Sequence, residues 1–401
     1  MLDVIPIIKS LWRNKTGPLL IILQLSLTIA VVSTALFVIS ERITNIERPS
    51  GMIEEEIFKI WMRKNSPDAD MEQIIKRDME IIRAMPGVID ATPISSIPLS
   101  GGGSASGLSI KPEDRLADFP SAIYEMTDQG LATLGVVLIE GRNFNVNEII
   151  FFARENPPEH TVAIITKDIA AKMFPDESAV GKTIYTGKLP LTIIGIVERL
   201  MGPWPDSEYA TSATILPAIA KEEAINYLVR TESGQRDAIM HSLLEKLRSI
   251  DSTRLVGDEK SIAQIKRESY SSDYAMIKIL SFVIFLLTFV NALGIFGLTT
   301  FWVNQRRKQI GIRRALGSTK AGVMRYFMLE NIVLVVFSAI VGTIIAYVNS
   351  SYMVRTQSME ILPITYVFTT ALFLLLVTML AAYSPIRKAT QISPVEAVSN
   401  V

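Results

Sequence analysis

The stretch ILSFVIFLLTFVNALGIFGLTTFWVNQRRKQIGIRRALGSTK, residues Ile279–Lys320, changes character halfway along. From Ile279 to Val303 it carries no charge over about 25 residues, enough for a helix to cross roughly 30 Å of hydrocarbon. Then Arg306, Arg307, Lys308, Arg313, Arg314 and Lys320 arrive together. An apolar run of membrane thickness followed by clustered Lys and Arg reads as a span that emerges on the cytoplasmic side. Three further runs share its apolar character: 18–40, 331–348 and 361–383. The first lacks a small-residue cleavage motif before Glu41 and Arg42, so it reads as a retained anchor and not a signal peptide.

The basic residues near the ends of the spans give the direction. Lys9, Arg13 and Lys15 precede the first span, Arg325 lies in the 304–330 loop, and Arg387 and Lys388 follow the fourth. The 349–360 loop holds only Arg355 against Glu360. The expected topology therefore puts 1–17, 304–330 and 384–401 in the cytoplasm and 41–278 outside. The chain reads as an α-helical membrane protein with four transmembrane helices and a large α+β extracytoplasmic domain between helices 1 and 2. Composition agrees. Of 401 residues, 49% are hydrophobic and 20% charged, and mean hydropathy is +0.32. Net charge is zero, which disfavours a nucleic-acid surface. There is no cysteine and there are two histidines, His160 and His241, so neither a thiol site nor a multi-histidine metal site is expected.

The outer segment alternates periods. IFKIWMRK (Ile57–Lys64) reads as a strand, and Ala69–Met85 places apolar residues at helical spacing until Pro86-Gly87 stops it. VIDATPI then reads as a returning strand. Ile225–Glu232, Gln235–Ile250 and Ser252–Gly257 repeat the strand–helix–strand order. Two such units suggest one subdomain built from distant parts of the chain, with 41–257 as the whole outer domain. Between them come TVAIITKDIAAKMF, a strand then a helix, and a hairpin turning at Gly187-Lys188. Residues 258–278 read as a stalk helix running into the second span.

Most candidate chemistry fails on spacing. Leu99–Gly103, LSGGG, comes within one residue of the LSGGQ signature of ABC ATPases. An ATPase also needs a phosphate loop, G-x-x-x-x-G-K-[ST]. The only GKT, Gly181–Thr183, has Asp176 where the first glycine belongs, and it opens a hairpin. Ser100–Gly107 therefore reads as a flexible loop. Ser100, Gly101, Gly102 and Gly103, with Trp204 in the 198–213 loop, are candidates for meeting cargo or an adaptor. Glu54–Glu56 reads as a solvated charge run. Asp68, Asp70 and Glu72 lack the glycine and the bidentate glutamate of a calcium loop. No G-x-S-x-G occurs. Asn291 is the main strongly polar residue in mid-span and is expected to bond another helix.

The 304–330 segment is the informative one. Gln305–Leu316 reads as a basic helix, Gly317 as its left-handed stop and Ser318 or Thr319 as the next N-cap. RRKQIGIRRALGSTKAGVMRYFMLEN resembles the coupling segment of FtsX/MacB-type ABC permeases, roughly R-x-R-E-I-G-I-R-R-A-L-G-A-x…E. It matches at Ile310, Gly311, Ile312, Arg313, Arg314, Ala315, Leu316, Gly317 and Glu330, and departs at Gln309, where the family often has Glu. Gly130–Phe144, Ala163–Ile184 and Ile193–Glu198 resemble the MacB-type periplasmic core domain. Tyr383–Asn400, with Pro394, Glu396 and Ala397, is similar to the family's C-terminal tail. The resemblance implies a permease that is not itself an enzyme, in the bacterial inner membrane with the large domain periplasmic. It implies that Arg306, Arg307 and the Ile310–Gly317 helix, with Glu330, couple to a separate cytoplasmic ABC ATPase dimer. ATP and Mg would bind there, and no cofactor is expected in this chain. It further implies a second permease subunit, identical or a paralogue, and, for efflux, a membrane-fusion adaptor and outer-membrane channel. The work would be efflux or extraction of a periplasmic substrate. The alternative is FtsX-like signalling, controlling a cell-wall hydrolase or sensing peptides.

Overall fold

The computed structural model describes residues 16–64, 69–112, 119–158, 161–251, 253–357 and 361–391. Lys9, Arg13, Lys15, Asp68, His160, Pro394, Glu396 and Ala397, weighed above, lie outside the described residues. The chain forms two compact units: residues 1–44 with 273–401, and residues 45–272.

The first unit is built from four long helices. They are α1 (Thr16–Ile46), α7 (Ser271–Gln305), α9 (Lys320–Gln357) and α10 (Ile364–Thr390), each long and apolar enough to cross a membrane. A short helix, α8 (Arg307–Ala315), stands between α7 and α9. The bundle buries Ile21, Leu25, Ile295, Phe327 and Ile386 in one cluster and Ile29, Phe37, Ala346 and Leu374 in another. Elsewhere its apolar side chains face outward: Phe282, Phe285, Phe289, Leu376 and Leu380 are all exposed. Helices apolar on their outer faces as well as at their contacts suit a lipid solvent. The helices approach closely. A side chain at Gly342 of α9 would place its Cβ 2.8 Å from the Ser26 carbonyl of α1, the small-residue contact usual between membrane helices. Arg42 of α1 donates to Asp273 of α7 at 2.8 Å, next to the two points where the chain passes between the units.

Among the described residues, the second unit holds two large β-sheets and a two-stranded one. The first has β1 (Ile57–Lys64), β2 (Val88–Ile94), β12 (Ala224–Thr231) and β13 (Arg254–Ser261) in the order β13-β1-β12-β2, all antiparallel. Helices α2 (Met71–Arg83) and α5 (Arg236–Ile250) complete two strand–helix–strand units whose strands interleave, a split β-α-β arrangement. Phe58, Ile60 and Met62 project from alternate positions of β1 into the core shared with Ile75, Ile82, Leu243 and Leu247. Asp78 of α2 is locked inside this subdomain. Arg254 donates to its two oxygens at 2.8 and 2.9 Å, and Tyr227 donates its hydroxyl at 3.0 Å.

The second sheet holds β3 (Ser104–Ser109), β4 (Phe119–Glu125), β5 (Leu138–Gly141), β7 (Thr161–Thr166), β8 (Thr183–Thr186), β9 (Leu189–Val197) and β10 (Ala213–Leu216). Their order is β5-β9-β7-β10-β4-β3-β8, and β8 also pairs with β9, so the sheet closes on itself. β8 and β9 form the hairpin expected at Gly187-Lys188. Two short helices, α3 (Gly130–Leu134) and α4 (Lys167–Met173), pack nearby, and β6 (Ile150–Phe152) pairs with β11 (Ala218–Ala220).

Two expectations are corrected. The helix expected over 258–278 starts only at Ile262. Asp258–Ser261 prolong β13, where Ser261 pairs with Phe58 and Lys260 with Lys59. Helix α6 (Ile262–Ser269) then ends, and Tyr270 separates it from α7. The Ser100–Gly107 loop is also shorter than expected, because Ser104 onward is recruited into β3 by pairing with β4.

Candidate functional site

Two places in the chain were singled out, the basic segment between α7 and α9 and the outer loops. In the basic segment, α8 follows α7 almost without interruption, since Arg306 N still bonds the Trp302 carbonyl and Ile310 N the Arg306 carbonyl. Its far end is a Schellman stop: Ser318 N reaches the Arg313 carbonyl at 3.0 Å and Gly317 N the Arg314 carbonyl at 3.1 Å. Gly317 takes φ +96, which a residue with a Cβ resists. Thr319 caps α9 by accepting from Gly322 N at 3.1 Å.

This geometry sorts the eleven coupling candidates into two sets. Ile310 and Gly311 turn inward, with Ile310 packed in the cluster of Val323, Phe327 and Ile386. Arg306 donates to both oxygens of Glu330 at 3.1 Å, and their side chains are 13% and 3% exposed. Arg314 donates to the Thr390 carbonyl at 3.1 Å and so ties α8 to the end of α10. Facing outward are Arg307, Ile312, Arg313, Ala315, Leu316 and Gly317. Arg313 lies over the Tyr326 ring, 4.8 Å from its centroid, a cation–π contact that leaves the guanidinium edge open. Ile312 is 45% and Leu316 83% exposed. A leucine so exposed at the tip of a rigid, capped turn is an apolar knob of the kind a groove on another protein accepts. Tyr326 and Thr390 were not singled out in the sequence; their partners lie 13 and 76 residues away.

Asn291 of α7 donates to Thr28 of α1 at 2.6 Å and to the Leu287 carbonyl at 2.8 Å. One contact thus joins two helices, which suits a mid-span amide.

The structure brings the two outer loops together. Leu99 N donates to the Gly202 carbonyl at 3.1 Å, and Gly101 N to the Pro203 carbonyl at 2.8 Å. Leu99 itself is buried, with φ +64, a strained conformation for a leucine. Ser100, Gly101, Gly102 and Gly103 are exposed above it. Trp204 is half-buried and meets Tyr209 edge-on, with ring centroids 6.2 Å apart. The loops present glycine backbone beside an aromatic pair on one surface.

A third feature escaped the sequence. A cavity of about 190 Å³ is lined by Trp61, Glu125, Arg154, Glu222 and Asn226 among others. Burial pushes the Glu125 carboxyl up from its ordinary value, while Arg154 pulls it down and Glu222 pushes it up. One of its oxygens is buried without a hydrogen-bond partner. Arg154 in turn is paired with Glu222. Among the described residues, no group of three or more His, Cys, Asp or Glu side chains could hold a metal ion.

Comparison with known proteins gives a consistent result. Residues 281–394 match the family model of the FtsX-like permease C-terminal region. Residues 19–246, more than half of the chain, match that of the MacB-like periplasmic core domain. A macrolide export ATP-binding/permease protein MacB of Neisseria meningitidis is 24% identical over 66% of this chain and 39% of its own length. One from Pasteurella multocida is 23% identical over 85% of this chain and 51% of its own. The chain thus spans about two fifths to half the length of these curated relatives. The crystal structure of the periplasmic region of MacB from Actinobacillus actinomycetemcomitans aligns with 56% of this chain and 97% of its own, at 14% identity and a TM-score of 0.35.

Proposed function

The chain belongs to the FtsX/MacB-type permease family, and from that premise we propose that it is the permease subunit of an ABC transporter driven by a partner ATPase in the cytoplasm. Four helices fit a bilayer and the core-domain match fits a periplasmic unit. In this reading α8 and the Gly317 turn face the cytoplasm. Two permease subunits pair, and each offers Leu316 and Ile312 to a groove on one ATPase subunit. Closure of the ATPase dimer on ATP moves α8. Because α8 is fastened to α9 through Arg306–Glu330 and to α10 through Arg314–Thr390, it carries those helices with it. Helices α1 and α7 run into the outer unit at residues 44–45 and 272–273, so motion of the bundle becomes motion of the periplasmic domain. The substrate is then displaced outside the membrane, in efflux or extraction, without a polar path through the spans.

The observation that carries the reading is α8, closed at its far end by the Schellman stop, with its exposed Leu316 between two membrane-length helices. A coupling claim requires contacts that differ between two states. Co-purification of the tagged chain with its ATPase tests the contact. Leu316→Asp should lose the ATPase while inserting normally in the membrane. Retention of the ATPase, with its activity still stimulated by the variant, would refute the proposed contact. The outer loops at Ser100–Gly103 and Trp204 are proposed to meet cargo or an adaptor. Co-purified partners would separate efflux, marked by an adaptor, from signalling, marked by a hydrolase.

A further inference from the structure

A second cavity, about 250 Å³, opens where the apolar runs of α7 and α10 end. Its polar wall includes Asn304, Arg307, Ser384 and Lys388, with Thr300 deeper, and Phe296 and Pro385 are among its apolar lining. Ser384 and Lys388 are one helical turn apart and share a face of α10. Pro385 lies between them inside the helix and has no N–H, which leaves the carbonyl one turn earlier without its helical donor. Two cations line the cavity and no carboxylate does. Among the described residues, the ion pairs include neither Arg307 nor Lys388. Toward mid-span, exposed apolar side chains continue from the same region on both helices: Phe289, Leu293 and Phe296 on α7, and Leu376 and Leu380 on α10.

We propose that this cavity is a binding site for the headgroup of an anionic phospholipid. The level is right, because a cavity at the end of two membrane-length apolar runs sits at the depth of lipid phosphates. The charge is right, because paired cations without carboxylates favour a phosphodiester with no compensating ammonium. The guanidinium of Arg307 suits the phosphate oxygens and the ammonium of Lys388 adds a point charge, while Asn304 and Ser384 can donate to the ester or glycerol oxygens. The acyl chains lie along the exposed apolar side chains of α7 and α10. Arg307 is also the first residue of α8. A lipid held there braces the start of the coupling helix, so the anionic content of the membrane tunes how stiffly α8 is held.

Native mass spectrometry of the full chain in detergent, with equal amounts of phosphatidylglycerol and phosphatidylethanolamine, tests this. The wild type should retain phosphatidylglycerol preferentially. The Arg307→Gln/Lys388→Gln pair should lower that preference by on the order of 10- to 30-fold, as expected for about two surface cations. Ser384→Trp, which fills the cavity and leaves the charges in place, should displace the lipid as well. The Arg325→Gln/Arg387→Gln pair, which removes as much charge outside the cavity, should leave the preference unchanged. Three results would overturn the site: equal retention of the two lipids by the wild type, an equal loss in the Arg325/Arg387 control, or unchanged retention in Ser384→Trp. Displacement of the lipid by millimolar inorganic phosphate would show a free-phosphate site in its place.

Discussion

Arg254 and Arg306 each reach from a strand or helix end to a buried carboxylate, yet the two pairs are wired differently. Around Asp78, every strong donor is used: Arg254 grips both oxygens, Tyr227 adds a third bond, and the rest of the Arg254 fork is held by the Leu247 carbonyl at 2.9 and 3.2 Å. With exposures of 1% and 0%, the pair has no access to water. At the bundle, a single guanidinium nitrogen of Arg306 likewise spans both oxygens of Glu330, as one nitrogen of Arg254 does at Asp78, but among the described residues no hydroxyl joins this carboxylate as Tyr227 joins Asp78. The first is a lock that joins α2, α5, β12 and β13 into one body. The second is a joint, one of few fastenings between α8 and the helix that follows it. A network with a third donor and a second acceptor resists change, whereas a pair without them is free to be remade if α8 moves as proposed.

The largest expected effect tests the lock. Asp78→Ala strands Arg254 in a dry core, and breaking a buried pair from one side costs about 3–5 kcal/mol. The outer unit should melt early or fail to accumulate, and denaturant unfolding of the full chain would measure it. Replacing both partners, Asp78→Leu with Arg254→Met, should still cost about 1–3 kcal/mol, because the Tyr227 hydroxyl and the Leu247 carbonyl lose their partners. The joint should behave otherwise. Arg306→Met with Glu330→Met removes two groups that bond chiefly to each other and should shift the melt by less than about 1 kcal/mol. If that double replacement is as damaging as the one at Asp78, the joint is a lock too and the comparison fails. Uncoupling should appear instead as an ATPase that stays bound to the variant but is no longer responsive to it.

The smallest effect is expected from pH. Asp251 is held well below the usual carboxylate range by its bonds to Lys64 and Thr253, and Glu148 is held low by Arg142. A carboxyl depressed in the folded state adds stability above its unfolded value, near 4, and loses it as pH falls through the folded value. Acid titration followed by tryptophan fluorescence should therefore show the outer unit loosening below pH ~4. Lys64→Met should flatten that dependence slightly, since exposed pairs contribute little and salt screens them. A steeper dependence in the variant would contradict the assignment.

Much of the architecture was legible in the sequence because it rests on short-range periodicity. The strand Ile57–Lys64, the helix ending at Pro86-Gly87, the hairpin at Gly187-Lys188 and the stop at Gly317 each follow from local rules. What escaped depends on distant pairing. Asp258–Ser261 has poor strand propensity and becomes a strand only because β1 accepts it, helped by the Lys59–Asp258 ion pair. The uses of Arg306 and Arg314 were hidden for the same reason. A run of arginines looks like a docking face, and no letter in the sequence marks the Thr390 carbonyl as a partner. The cluster of Glu125, Arg154 and Glu222 draws on the end of one strand and two loops, so nothing in local spacing announces it.

The split of the coupling segment into inward fasteners and an outward knob can be tested by crosslinking. The chain contains no cysteine, so Leu316→Cys introduces a unique thiol. With a cysteine placed in the groove of the partner ATPase, a short bis-maleimide should join the two chains. Val146→Cys, exposed on the outer unit, should form no such crosslink. Efficient crosslinking through Leu316→Cys that changes on ATP addition is the predicted result. No crosslink from position 316, in complexes that still hold the ATPase, would contradict the account.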